Sequence, residues 1–277
     1  MDNTKALPLF KSALEDYIKQ NQKITDEITK KLRKLTQCPD ITELFVKQTQ
    51  VEKFTKNIIN QNQSMADAIT YTIWPYFLKR GWFISAKYLY FQQVMRFKKA
   101  IANLPSLEDN DYFEKELEIE ESLLTFTRSL VGSIEEDVCS KWVPRKEIIQ
   151  QAFIAHKEGK YALSIPVLLA QSDGICHDIF GCHLFTKFEG NIKEKVKILD
   201  KNRTPLSSAF LKLLTNQLSL SEYTRDLNEK RENDPFYGPL NRHGILHGLD
   251  LDYPKEANSL RCISLLSYLI MINEFLN

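Results

Sequence analysis

The segment NRHGILHG, residues 241–248, concentrates chemistry-bearing side chains in a chain that has only 5 histidines and 9 glycines among 277 residues. Arginine suits a phosphate because its guanidinium fork donates two parallel, charged hydrogen bonds. Histidine titrates near neutrality and can take or give a proton. Arg242 and His247 are five residues apart, about one and a half helical turns, so they do not share one regular helix face. Gly244 loosens the expected geometry, and Gly248 permits an abrupt change of direction. An arginine and a histidine beside a phosphodiester are the minimum apparatus for cleaving RNA without a metal.

A second polar strip lies in AQSDGICHD, within a segment otherwise rich in apolar residues. Asp173 and His177 are four residues apart, so they share a helix face and are expected to hydrogen-bond. Two interpretations stay open. The strip either faces the 241–248 segment and helps to position a substrate, or it seals an interface between helices.

The overlapping segment CHDIFGCH contains four potential zinc ligands, Cys176, His177, Cys182 and His183. Zinc pairs usually place their ligands two to four residues apart, with the second pair well downstream. Here the two pairs are six residues apart. The spacing favours packing of the two cysteines as small hydrophobic residues, and we expect neither a metal nor another cofactor.

The composition indicates a water-soluble globular protein with no global affinity for polyanions. The hydrophobic fraction is 43%, and 37 basic residues balance 36 acidic ones to a net charge of +1, so an anionic partner needs a local patch. No run of about 18 apolar residues indicates a membrane span, and the charged start lacks the pattern of a signal peptide. Five scattered cysteines are typical of reduced thiols in a cytoplasm.

Helical periodicity recurs along the chain and predicts an all-α protein. In the N-terminal half we expect helices over 14–35 and 40–58, then two short helices in the aromatic stretch that follows. That stretch is interpreted as a buried aromatic core, the alternative being a base-stacking surface among lysines and arginines. The acidic segment 106–122 is expected to begin or link a helix, with its acids solvated.

In the C-terminal half the same periodicity predicts a helix bundle. The expected helices cover 145–157, 160–180 with a bend at Pro166, 191–200, 205–217, 219–231 and 255–275. Pro144 marks the expected boundary between an N-terminal helical region of unknown role, 1–143, and a C-terminal bundle, 144–277.

Residues 242–247, RHGILH, in their helical context resemble the R-x4-6-H motif of HEPN domains (higher eukaryotes and prokaryotes nucleotide-binding). In that motif the residue after the arginine is typically polar, as His243 is. The resemblance covers roughly residues 145–277. It implies a metal-independent endoribonuclease, often a bacterial toxin or antiviral-defence effector, with two motifs meeting across a homodimer interface. By this resemblance His247 takes the 2′-OH proton, Arg242 steadies the scissile phosphate, and His243 assists.

Three further residues, Asn241, Asp173 and His177, are expected to help position the RNA. The expected partners are RNA, a second copy of the chain, and an antitoxin or sensor protein, and no membrane is expected. Two alternatives remain. Similar bundles also act as non-catalytic modules for protein interaction or dimerisation, and the 241–248 segment could simply be a capped turn in which Arg242 pairs with Asp250 or Asp252.

Overall fold

The computed structural model describes residues 53, 56, 60, 63–83, 85–89, 91–104, 109–185, 192–201, 203–216 and 218–276. The chain divides into two compact units, Met1–Ser64 and Met65–Asn277, and the fold given below is that of the second. The helices predicted over 14–35 and 40–58 lie outside the described residues apart from isolated positions near 53–56.

The protein is all-α, as the periodicity predicted. A π-helical turn, Ile69–Ile73, leads into the first of the α-helices that follow in chain order. We number them α1 Trp74–Lys79, α2 Phe91–Asn103, α3 Asp109–Lys141, α4 Lys146–Lys157, α5 Tyr161–Phe180, α6 Ile192–Leu199, α7 Pro205–Leu213, α8 Thr224–Asn233, α9 Arg242–Leu246 and α10 Glu256–Leu276. Short 3-10 turns, Val143–Arg145 and Ser219–Ser221, join α3 to α4 and precede α8.

Helix α10 is the centre of the bundle, and α3, α5 and α7 pack around it. It is long and apolar enough to cross a membrane by length and composition, but 78% of its most apolar window is buried inside the protein. Its residues from Asn258 to Ile272 are all buried. A helix that is apolar on all sides is stable in water when other helices cover it, so α10 has the properties of a core helix.

Pro166 lies inside α5 and leaves one backbone carbonyl without its usual helical donor. A proline has no N–H for the carbonyl four residues earlier, which here belongs to Ala162. The hydroxyl of Tyr253, from the segment just before α10, donates to that carbonyl at 3.0 Å. The hydrogen bond that the proline removes from α5 is therefore replaced by one from the segment that leads into the central helix.

The aromatic stretch forms part of the core, as its preferred interpretation predicted. Trp74 and Trp82 are 2% and 1% exposed. The indole of Trp74 donates to the carbonyl of Ala209 at 3.1 Å and meets the rings of Phe210 and Tyr268 edge to face. These rings are therefore not available to stack nucleic-acid bases.

The acidic segment does begin a helix, α3, but two of its acids are paired with arginines, and one of them is buried. Glu116 is 1% exposed and receives two hydrogen bonds from the guanidinium of Arg80, which is itself buried. One turn further on, Glu120 pairs with the buried Arg261 of α10. Pairing and hydrogen bonding offset the cost of removing these groups from water, and the pairs tie α3 to α10 and to the residues after α1.

The compact unit extends well N-terminal of residue 144, where the sequence placed a boundary. Helix α3 precedes that boundary, yet it packs on both α4 and α10, which follow it. The chain divides between Ser64 and Met65 instead. Pro144 sits in the 3-10 turn Val143–Arg145, so it marks a corner between two packed helices of one unit.

Candidate active site

The residues 241–248 form one short capped helix followed by a glycine turn. Asn241 is the N-cap of α9, and its side-chain oxygen accepts the N–H of Gly244. At the other end His247 is the C-cap, and Gly248 has a φ of +70°, the left-handed conformation that commonly ends helices. The carbonyl of Gly244 then accepts the N–H of Leu249 at 2.8 Å. The local sequence thus determines both ends of the helix.

Gly244 serves close packing rather than a loose backbone. A β-carbon there would lie 3.0 Å from the side-chain oxygen of Asn241, 3.1 Å from the β-carbon of Asp250 and 3.3 Å from the hydroxyl of Thr224. The expectation that this glycine loosens the helix is therefore wrong. The absence of a side chain lets α9 pack closely against its neighbours.

Asn241 is a buried anchor and not a surface residue that touches a substrate. It is 1% exposed, and its amide donates to the backbone carbonyl of Glu222 at 2.9 Å. The Glu222 carboxylate is buried too, held by the ammonium of Lys230 at 2.8 Å and the hydroxyl of Tyr237 at 2.8 Å. Asn241 therefore positions the start of α9 against the segment around Glu222.

The two histidines of the segment meet on one face of α9. The ring centroids of His243 and His247 are 4.6 Å apart, as expected for an i, i+4 pair. His243 is half-buried, with Nδ1 at 3.4 Å from the hydroxyl of Thr224 and its ring at 5.3 Å from that of Tyr223. His247 is exposed. The two imidazole rings are therefore in contact, one held by its neighbours and the other in solvent.

Arg242 lies on the first turn of the same helix, above an aromatic ring. Its guanidinium carbon is 5.5 Å from the centroid of the Phe185 ring, within the range of a cation–π contact. The capped-turn hypothesis expected Asp250 or Asp252 as its partner, but Asp252 pairs with Lys255. Among the described residues Arg242 forms no ion pair with a carboxylate.

Asp173 reaches this site indirectly. Its carboxylate accepts the N–H groups of Leu184 at 2.8 Å and Phe185 at 3.3 Å, and its other oxygen lies 3.2 Å from Nδ1 of His183. Within the described part of the chain its histidine partner is thus His183 and not the predicted His177. Asp173 fixes the turn after α5, and that turn places Phe185 under Arg242.

His177 and the two cysteines of CHDIFGCH do not join the site on α9. His177 is exposed, with its ring 4.8 Å from that of His183. Cys176 and Cys182 are buried, and burial raises the pKa of both thiols. This is the packing role that their spacing favoured. In the described residues no three His, Cys, Asp or Glu side chains are grouped so that they could hold a metal ion.

Three residues that contact the candidate site could not be identified from the sequence around the motif. Phe185 lies beneath Arg242, while Tyr223 and Thr224 contact His243. All three are at least 18 residues from α9 along the chain. Only the packing of α9 against α5 and the Ser219–Ser221 turn brings them there.

Comparison of the chain with protein-family models, with curated proteins and with solved structures gives no match in any of the three.

Proposed function

We propose that the protein is a metal-independent endoribonuclease of HEPN type, with Arg242, His243 and His247 as its catalytic residues. The observation that carries the proposal is the contact between the two imidazoles, 4.6 Å apart, on the same short helix as an arginine without a carboxylate partner among the described residues. This set combines two proton-transfer groups with one permanent cation, which is what cleavage of a phosphodiester requires in the absence of a metal.

In the proposed reaction, His247 takes the proton from the 2′-hydroxyl, and the 2′-oxygen attacks the adjacent phosphorus. The bond from phosphorus to the 5′-oxygen breaks, which leaves a 2′,3′-cyclic phosphate on one fragment and a 5′-hydroxyl on the other. Arg242 stabilises the charge that builds on the phosphate oxygens. His243, in its protonated form, gives the proton to the departing 5′-oxygen. DNA is not a substrate because it lacks the 2′-hydroxyl.

The proposal includes a homodimer with a composite site. Its support is an apolar surface directly after the catalytic helix, where Leu246, Leu249 and Leu251 are 41%, 61% and 83% exposed. Three exposed leucines in six residues favour an interface, and a second copy seated on them would bring its own α9 close to the first. The same surface suits the second candidate function, a non-catalytic module for protein interaction.

The biological role that follows is a toxin or defence effector acting on RNA in the cytoplasm, restrained by an antitoxin or triggered by a sensor protein. Expression of the wild-type chain is then expected to harm its host, and His247→Ala to relieve the harm. Equal harm from both chains would contradict this role.

The decisive experiment incubates purified protein with labelled tRNA, mRNA and single-stranded DNA in EDTA. We expect RNA alone to be cut, with cyclic-phosphate ends, and Arg242→Ala or His247→Ala to slow cleavage by at least about 100-fold, the usual effect of losing such a group. Arg128→Ala is the matched control, because Arg128 is an exposed arginine that pairs with Glu256. Failure to cut any RNA, or loss of cleavage with the chelator, would refute the proposed function.

A further inference from the structure

Tyr223 presents an exposed aromatic ring directly beside the proposed catalytic histidines. The residue is 51% exposed, and its ring meets that of His243 at a centroid distance of 5.3 Å and an angle of 82°. Perpendicular rings touch edge to face, so they do not cover each other as a parallel stack would. Much of the phenol surface therefore remains in solvent, while the ring stays in contact with that of His243.

The backbone on either side of Tyr223 is firmly held. Glu222 before it is 3% exposed, with its carboxylate bound by Lys230 and its carbonyl by Asn241. The carbonyl of Tyr223 itself accepts the N–H of Leu227 at 3.0 Å, the first hydrogen bond of α8. An aromatic side chain on a fixed backbone has few torsions left to order, so it binds a flat partner at low entropic cost.

Two arginines lie near Tyr223 or His243 along the chain. Arg225, on the first turn of α8, has a 95% exposed side chain that lies 3.5 Å from the carboxylate of Asp226, and Arg242 precedes His243 in the sequence. Proteins hold single-stranded nucleic acid with exposed aromatic rings that stack the bases and with cations on the same surface that meet the phosphates. A base inside a duplex is already stacked on both faces and cannot use it.

We propose that Tyr223 forms a base-stacking subsite of the candidate active site, and that the substrate class is consequently single-stranded RNA with an unpaired base next to the scissile bond. The position next to the scissile bond rests on the proposed nuclease function. The stacking of an unpaired base does not.

The test separates binding from cleavage by using the full chain with His247→Ala, so that RNA stays intact. Binding of a short single-stranded RNA and of the corresponding duplex is measured by fluorescence anisotropy at one fixed salt concentration. Adding Tyr223→Ala is expected to weaken binding of the single strand by about 5- to 150-fold, the usual effect of removing one stacking ring, and to leave duplex binding unchanged. Tyr223→Phe keeps the ring and is expected to bind within about twofold of the parent, by the same stacking argument.

Tyr71→Ala is the matched control, since Tyr71 is a 77% exposed tyrosine on the Ile69–Ile73 turn, and it should bind the single strand as the parent does. Unchanged single-strand binding in Tyr223→Ala, or an equal loss for strand and duplex, would overturn the subsite. So would a change confined to the oligomeric state, measured by sedimentation, because Tyr223 would then serve a protein contact.

Cleavage by the chain with His247 intact distinguishes this inference from the proposed function. If RNA is cut and Tyr223→Ala leaves KM and kcat unchanged, the nuclease stands and the subsite is refuted. If no RNA is cut but single-strand binding depends on Tyr223, the nuclease is refuted and the stacking site stands. A rise in KM with a smaller change in kcat supports both.

Discussion

The side chain of Asn241 makes two buried hydrogen bonds that hold α9 in place. Its oxygen caps the N–H of Gly244, and its amide donates to the carbonyl of Glu222 at 2.9 Å. Asn241→Ala removes both bonds and leaves a donor and an acceptor facing an apolar methyl group. We expect this substitution to destabilise the unit Met65–Asn277 and to displace Arg242 together with the rest of α9.

The magnitude follows from the two bonds taken separately. Loss of an N-cap costs about 1 kcal/mol, within a range of about 0.5–2. A buried carbonyl left without its donor costs about 1–3 kcal/mol. Asn241→Ala should therefore lower the free energy of unfolding by about 2–4 kcal/mol. Asn241→Ser keeps an oxygen for the cap but is too short to reach Glu222. It should therefore lower the free energy of unfolding by about 1 kcal/mol less than Asn241→Ala does.

Urea unfolding followed by tryptophan fluorescence measures this directly, because all 3 tryptophans of the chain, at 74, 82 and 142, belong to the unit that contains Asn241. Asn233→Ala is the matched control, since that exposed side chain donates to a carbonyl of its own helix, Glu229 at 3.1 Å, and it should cost less than about 0.5 kcal/mol. A loss below about 0.5 kcal/mol for Asn241→Ala would refute the argument. If Asn241→Ser is as unstable as Asn241→Ala, the N-cap hydrogen bond does not contribute to the loss of stability.

Gly248→Ala and Gly132→Ala form an opposed pair, because neither β-carbon would meet an atom within 4 Å. Gly248 has a φ of +70°, so alanine there should lower stability by about 1 kcal/mol, whereas Gly132 lies inside α3 and alanine there should raise it by about 0.5–1 kcal/mol in urea unfolding. Burial lowers the pKa of His156 below its ordinary 6.5, so the unfolded chain binds a proton there at a higher pH than the folded protein does. The contribution of His156 to the free energy of unfolding is therefore fully present above its ordinary pKa. It is lost as the pH falls through that pKa towards the lower pKa of the folded protein. The urea midpoint should drop between about pH 7.5 and about pH 5.5, and His156→Gln should show a smaller drop; an equal drop in both would assign the effect to other groups.

Two helices of the C-terminal half were predicted closely because their signals are local, whereas the predicted helix 205–217 ends at Leu213 and the predicted helix 219–231 is a 3-10 turn followed by Thr224–Asn233. Apolar spacing with a glycine after Lys157 predicted 145–157, and α4 covers Lys146–Lys157. The last helix, predicted over 255–275, is Glu256–Leu276. A helix satisfies its backbone within its own segment, so periodicity and caps suffice to find it.

The role of the acids in α3 could not be predicted in the same way. Glu116 and Glu120 belong to a run that is typical of a solvated face, yet each is paired with an arginine from a distant part of the chain, Arg80 and Arg261. Whether a carboxylate is solvated or paired depends on which helix packs over it. Helix α3 likewise precedes Pro144, the boundary expected from the sequence, and yet packs on α4 and α10, which follow it.

The sequence by itself determined the chemical types at the candidate site and the local shape that carries them. Arg242, His243 and His247, the cap at Asn241 and the turn at Gly248 all lie within eight residues, where backbone geometry alone sets their relation. Only the tertiary structure decided which side chains surround them. It placed Tyr223 and Thr224 against His243 and Phe185 beneath Arg242, and it turned Asp173 from an expected substrate contact into the support of Phe185. The physical reason is that caps and turns are formed by neighbours along the chain, whereas burial, ring contacts and ion pairs join segments that meet only when the helices pack.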